Sequence, residues 1–314
     1  MHRVASAVCL IVFLLIFGVS HLVSASPAQQ ADTTPQQVNV SVVLLGIRDF
    51  DPRNGSFIAD FYLDLYCDEG QTCNPHNFEL TNGSVIFKED LSSSEEYTSY
   101  RVQARLYSNL DFRNYPFDRQ SLTIQMEDKL LPREEIVYKI AEEVTVVDEQ
   151  VQVPGWEIVT HQAQVDEHYY PTWDQVYSRY RFSLVLQRPV LSSLVKGLMP
   201  AFLVALVAFF SLFISTGKGV TRLSVLLSTF VTAVLLHLNM INSIPAVSYL
   251  TFADRFMLAN YVMFTGALGL TIWSMALVDR GQVARAERLD RSMRWLIPLL
   301  WLAMQAANLW LLFN

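Results

Sequence analysis

Cysteine is scarce in this 314-residue chain, with three residues in all. That excludes a small scaffold stapled by several disulfides. Cys67 and Cys73 have five residues between them, but no further Cys or His stands at ligand spacing, so a zinc site is not indicated. Histidine is equally sparse: after residue 25 only His76, His161, His168 and His237 occur, none with a second histidine at metal spacing. GxSxG, HExxH, a P-loop and a helix-opening GxGxxG are all missing. No enzyme constellation, cofactor or nucleic-acid partner is therefore expected.

Basic charge is short in the first half. Residues 27–190 hold 26 acidic and 13 basic side chains, net −13, whereas residues 191–314 hold 4 acidic and 9 basic, net +5. Arg3 supplies the last charge, for a net −7. An acidic polar half thus meets an apolar, slightly basic half near Pro189. Residues 1–25 read as a signal peptide. His2 and Arg3 open it, Val8 to Val19 is apolar, and Val23-Ser24-Ala25 offers small residues for cleavage after Ala25. The apolar run is short for a span of ~20 residues. Cleavage would remove Cys9. The remaining pair, Cys67 and Cys73, is expected to form one disulfide in an oxidising compartment, its small loop contributing roughly 2 kcal/mol.

Four uncharged stretches follow: Gly197 to Gly217, Leu223 to Ala253, Phe256 to Val278 and Trp295 to Asn314, of 21, 31, 23 and 20 residues. Pro245 cuts the second, because proline removes a backbone donor and biases the residue before it out of helix. Helices are expected at about 197–216, 221–244, 255–278 and 295–313, in a membrane domain over 191–314. Lys218 and Arg222 lie between the first two, and Arg280, Arg285, Arg288, Arg291 and Arg294 between the last two. The positive-inside rule puts both connections in the cytoplasm. The N-terminal domain and the C-terminus then lie outside a cell membrane.

The second stretch carries a pattern. Thr221, Ser224, Ser228, Val231, Leu235, Leu238 and Asn242 follow steps of 3 and 4, one stripe of a helix. Hydroxyls at one end and branched apolar residues above them suit a water-filled path with a dewetting constriction. Small residues such as Ser224 and Ser228 suit helix packing equally well. The stripe alone leaves both open.

Residues 26–190 read as an all-β domain. Phe57, Ala59, Phe61, Leu63 and Leu65 alternate with more polar neighbours, Tyr177 to Leu186 is strand-like, and Asn54-Gly55 and Asn82-Gly83 mark turns. About ten short strands imply an antiparallel, immunoglobulin-like sandwich. Acidic pairs such as Glu134-Glu135, Glu142-Glu143 and Asp148-Glu149 read as a solvated face. Asn39, Asn54 and Asn82 head glycosylation sequons.

The segment Leu110-Asp-Phe-Arg-Asn-Tyr-Pro-Phe-Asp-Arg-Gln120 resembles the loop at the base of the extracellular domain in pentameric ligand-gated ion channels, the Cys-loop receptor superfamily. Animal members flank it with cysteines. Here those positions are Ser108 and Leu122, as in the prokaryotic branch, and the short connection from Asp279 to Arg294 points the same way. Arg188-Pro189, Pro200, Asp60-Phe-Tyr-Leu-Asp64 and Ser248-Tyr-Leu-Thr-Phe-Ala-Asp254 match further family features in order.

The resemblance implies five copies around an axis, each a β-sandwich on an all-α four-helix transmembrane bundle, with the seven-residue stripe lining the pore. It implies an agonist site from Phe78, Glu127, Tyr169 or Tyr170, Trp173 and Tyr177, aromatics with one carboxylate that suit an amine through cation–π attraction. Lys129 departs from that box. It also implies a coupling group: Tyr115, Pro116, Phe117 and Asp118 of the loop, an Asp118–Arg188 ion pair, and Asp51 facing the same guanidinium. The expected partners are identical subunits, a small-molecule or ion agonist, permeant monovalent ions and the bilayer. Gly217-Lys-Gly-Val-Thr-Arg222 carries neither the carboxylate of cation-selective relatives nor the Pro-Ala of anion-selective ones. The acidic outer domain favours cations. A non-conducting membrane-anchored sensor with this fold is the alternative.

Overall fold

Alternation in the sequence becomes a core. In β2 (Ser56–Cys67) Phe57, Ala59, Phe61, Leu63 and Leu65 are buried, and the residues between them face outward, apart from the buried Asp60. The computed structural model describes residues 34–68, 73 and 77–313. The expected leader, Cys9 and His76 lie outside the described residues.

One sheet runs β4 (Gly83–Ser93), β5 (Tyr97–Tyr107), β2, β1 (Gln36–Asp51), β7 (Ile136–Ile140), with the short β8 (Val146–Val147) also on β1. The other runs β3 (Phe78–Leu80), β6 (Arg119–Asp128), β10 (Gln175–Gln187), β9 (Glu157–Tyr170). Apolar residues from both sheets form one cluster, including Val40, Phe61, Ile124 and Phe182. The sandwich is mixed rather than wholly antiparallel, because β7 and β8 pair with β1 in parallel. Asp60 stays buried because Arg48, Arg101 and Gln103 all donate to it. Cys67 and Cys73 are bonded, their Cα atoms 6.0 Å apart.

The sequon asparagines are engaged. Asn82 donates to the Tyr107 and Thr123 carbonyls and accepts from Gln125 N, pinning its turn between two sheets. Asn39 donates to Asp68 and Asn54 to Asp51.

Four helices are long and apolar enough to cross a membrane: α1 (Val190–Ser211), α2 (Gly219–Ile241), α3 (Phe252–Asp279) and α4 (Val283–Phe313). The protein is a multi-pass membrane protein. Helix α1 begins seven residues before its uncharged run and contains a π-helical turn, Leu194–Leu198. Helix α2 ends at Ile241, just ahead of Pro245. The fourth helix differs most from expectation: it starts at Val283, not near 295, so only Arg280-Gly281-Gln282 separate α3 from α4. Charged residues do not end a helix; they end only its apolar part.

Candidate functional site

The pore helix candidate, α2, is sharply two-faced. Thr221, Ser224, Ser228, Val231, Leu235, Leu238 and Asn242 are all exposed in the single chain, Leu235 at 61%. Arg222, Leu226, Thr229, Ala233 and Met240 on the other face are buried against the bundle. Leu236 is partly buried in the same cluster. Val231, Leu235 and Leu238 thus form an apolar belt above the exposed hydroxyls of Thr221, Ser224 and Ser228, on a face that the chain's own helices leave open.

At the base of α2 the sequence misled. Arg222, expected as a loop charge, is fully buried and paired with Asp290 of α4 at 3.0 Å. Asp290 also accepts from Ser274 of α3 at 2.5 Å and from Thr216 at 2.9 Å. One carboxylate therefore ties α2, α3 and the α1–α2 connection to α4. The signal for it was Asp290 itself, one of 4 acids in residues 191–314.

At the other end the sandwich docks on the bundle through the Leu110–Gln120 loop. Asp118 is buried and accepts from Arg188 Nε at 2.8 Å and from Gln120 at 2.6 Å. The Arg188 guanidinium also lies over the Trp156 ring, 4.3 Å from its centroid, and 5.2 Å from that of Tyr115. Asp51 does not join them. Its carboxylate is taken by Arg53 N and Asn54 Nδ2 within its own turn, too local to reach Arg188. Phe112 is buried in the bundle cluster, and Phe117 packs on Phe252 at 5.5 Å. Tyr115 and Pro116 line a cavity against α1 and α2.

The same loop caps α3. The first N–H groups of a helix have no partner inside it. Here Phe252 N donates to the Arg113 carbonyl at 2.8 Å and Ala253 N to that of Tyr115 at 3.0 Å. Thr251 and Asp254 close a capping box. Asp254 then meets His237 Nε2 of α2 at 3.0 Å, and His237 Nδ1 meets Tyr261 OH at 2.9 Å. A bonded series runs from the sandwich loop through the α3 cap to the pore helix candidate. His237 was not singled out in the sequence, since a lone histidine in an apolar run carries no spacing signal.

The proposed agonist residues only partly converge. Tyr170, Trp173 and Tyr177 gather on the β9–β10 hairpin, with Tyr170 centroid distances of 5.4 Å to Trp173 and 5.6 Å to Tyr177. Tyr169 is not part of the group: neighbours on a strand face opposite ways, and its hydroxyl donates to Asp174. Phe78 packs instead on Tyr100, under Lys88. Glu127 is not a free carboxylate either. It is buried and paired with Arg179 at 2.6 Å, and Tyr170 OH donates to it at 2.9 Å. Both of its oxygens are thus engaged within the chain, one by Arg179 and one by Tyr170.

Beside it, burial raises the Asp128 carboxyl above 3.8, although two backbone N–H groups, Leu130 and Leu131, hold it down in part. The folded state therefore binds this proton more tightly than the unfolded chain. As pH falls from neutrality through the raised value, the group adds stability to the fold; as pH rises, it removes it. Asp128→Asn keeps the Oδ1 acceptor and should flatten that dependence, read as the melting temperature of the two proteins against pH. Parallel curves would assign the titration elsewhere.

No family model matches the chain. Individual proteins do. A proton-gated ion channel of Gloeobacter violaceus is 24% identical over 203 residues, 64% of this chain and 56% of that protein. The serotonin-gated chloride channel mod-1 of Caenorhabditis elegans is 24% identical over 202 residues, 63% of this chain and 40% of that one. The human gamma-aminobutyric acid receptor subunit rho-2 is 22% identical over 204 residues, 64% and 42%. This chain has a pentameric-ligand-gated-ion-channel-like fold. The matches reach only about half the length of these relatives, which are channels and receptors rather than enzymes. Ser108, just past the end of β5, accepts the Thr123 N–H of β6 on its Oγ at 2.9 Å, which ties the chain on the two sides of the Leu110–Gln120 loop together.

Proposed function

We propose that this protein is a homopentameric ligand-gated ion channel of a cell membrane, with the sandwich and C-terminus outside and the α2 stripe lining the pore. The observation that carries the reading is the exposed α2 face, hydroxyls below an apolar belt, opposite a face buried in its own subunit. The agonist site is the Tyr170–Trp173–Tyr177 hairpin, completed by the next subunit. With Glu127 neutralised by Arg179, a neutral or weakly charged agonist fits it better than an amine.

Cation conduction is favoured by the net −13 of residues 27–190 and by the pairing of Arg222 with Asp290, which removes its charge from the mouth. Exposed Lys218 favours the anion reading, as does the chloride channel among the relatives. Native mass measurement of the purified protein should give five chains. Planar bilayers should give unitary currents whose reversal potential follows the monovalent cation gradient. A pentamer that binds ligands but passes no current would support the sensor reading.

Coupling has its own test. Arg188→Lys keeps the charge but loses the planar group stacked over Trp156. On this reading it should impair agonist response at normal surface expression, and Asp118→Ala should impair it further. A wild-type dose–response curve for Asp118→Ala would remove the pair from gating.

A further inference from the structure

Beneath the sandwich, α1 and α2 border a half-open cavity of about 230 Å³ with Pro116 and Tyr115 of the Leu110–Gln120 loop as its roof, and Lys196, Asn239 and Ser243 on its rim are exposed. Its polar lining includes Ser192, Ser193, Lys196, Asn239 and Ser243. It contains two cations and no carboxylate. Arg188 is already neutralised by Asp118. Lys196 makes no ion pair or side-chain hydrogen bond among the described residues. It sits in the π-helical turn of α1, a distortion that costs regular hydrogen bonding and recurs at functional sites. Gly197 follows it and leaves the wall bare beside Pro116, whose Cγ lies 3.5 Å from where a Cβ would be.

A lone ammonium in a helix that spans a membrane needs an anionic partner or a route to water. Lys196 is six residues into α1, ~9 Å along the axis, near the depth where the hydrocarbon gives way to headgroups. We propose that this cavity is a regulatory site for a phosphate-bearing anion, with Lys196 as its cation and Ser193 and Asn239 as hydrogen-bonding partners. Two sources share that chemistry, a phospholipid headgroup entering along α1 and a free phosphate. Either would bridge the motif loop, α1 and the sandwich-side end of α2, so occupancy biases how these three sit together. The site does not depend on whether the protein conducts.

Thermal melting of the purified full-length protein tests it without current measurements. Dihexanoyl-phosphatidylglycerol and inorganic phosphate are the two probes. A saturable rise in melting temperature is expected with at least one, with phosphatidylglycerol alone if the lipid is the source and with both if the free anion suffices. Lys196→Gln should weaken the apparent affinity roughly tenfold, and Lys196→Arg should restore it. Asn239→Leu, which fills the cavity without changing charge, should weaken it too. Equal shifts in wild type and Lys196→Gln, or no shift with either probe, would overturn the proposal and leave the channel reading untouched.

Discussion

Asp290→Ala is expected to destabilise the protein by about 3–5 kcal/mol, the usual cost of leaving one member of a buried ion pair alone. Arg222 would keep a charge with no exposure, and Ser274 and Thr216 would lose their acceptor. Melting in mild detergent, together with the yield of assembled protein, measures the effect. Glu287→Ala, on the exposed side of the same helix, should change neither. The double variant Arg222→Leu/Asp290→Leu should recover most of the loss, because apolar replacement of both partners leaves no orphan charge. Equal melting of Asp290→Ala and Glu287→Ala would mean that the pair does not hold the bundle.

The largest functional effect is expected at the apolar belt. Val231 and Leu235 are 57% and 61% exposed in the single chain. If five copies close a dry constriction, Leu235→Ser or Val231→Ser makes it easier to wet. A drop of ~1.4 kcal/mol in that barrier gives roughly tenfold more resting current. Leu236→Ser is the control. That side chain lies about 100° around the helix, partly buried in the bundle, so its replacement should lower melting temperature without comparable leak. Leak from Leu236→Ser alone, or equal leak at Leu235 and Leu236, would show that another face of α2 lines the lumen.

These two sites differ in how far the sequence discloses them. The stripe was readable because helical periodicity repeats one side-chain character every three or four residues, and the exposed face of α2 carries all seven of its residues. The β2 strand was readable for the same reason at period two. The Arg222–Asp290 pair was not, because 68 positions separate partners that only packing brings together. Its arginine looked like an ordinary positive-inside charge. The start of α4 was missed because hydropathy reports where a helix becomes apolar, whereas backbone hydrogen bonding continues through Arg285 and Arg288. In the aromatic β9–β10 hairpin, residue type was legible but pairing was not. Glu127 looked like a ligand carboxylate until Arg179, 52 positions away, was seen to hold it. Tyr169 and Tyr170 could not be ranked without knowing which side of β9 faces Tyr177.

Helix α4 is the least buried of the four spans, yet polar contacts hold it at both ends. Asp290 grips Arg222 at one end. At the other, Gln305 donates to the Phe256 carbonyl at 3.2 Å, and Asn308 accepts from Arg255 at 2.8 Å. Trp301 donates to Asn260 between them. From Asp290 to Asn308 is ~27 Å of helix rise, close to the thickness of a bilayer's hydrocarbon. A helix pinned at two heights cannot tilt or slide to match a thicker or thinner bilayer, the usual ways a span absorbs mismatch. The lipid must deform around it instead, or one clamp must open. The neutral Asn308 end should give way before the ionic Asp290 end, so a change in bilayer thickness would first peel α4 from the side nearest the sandwich.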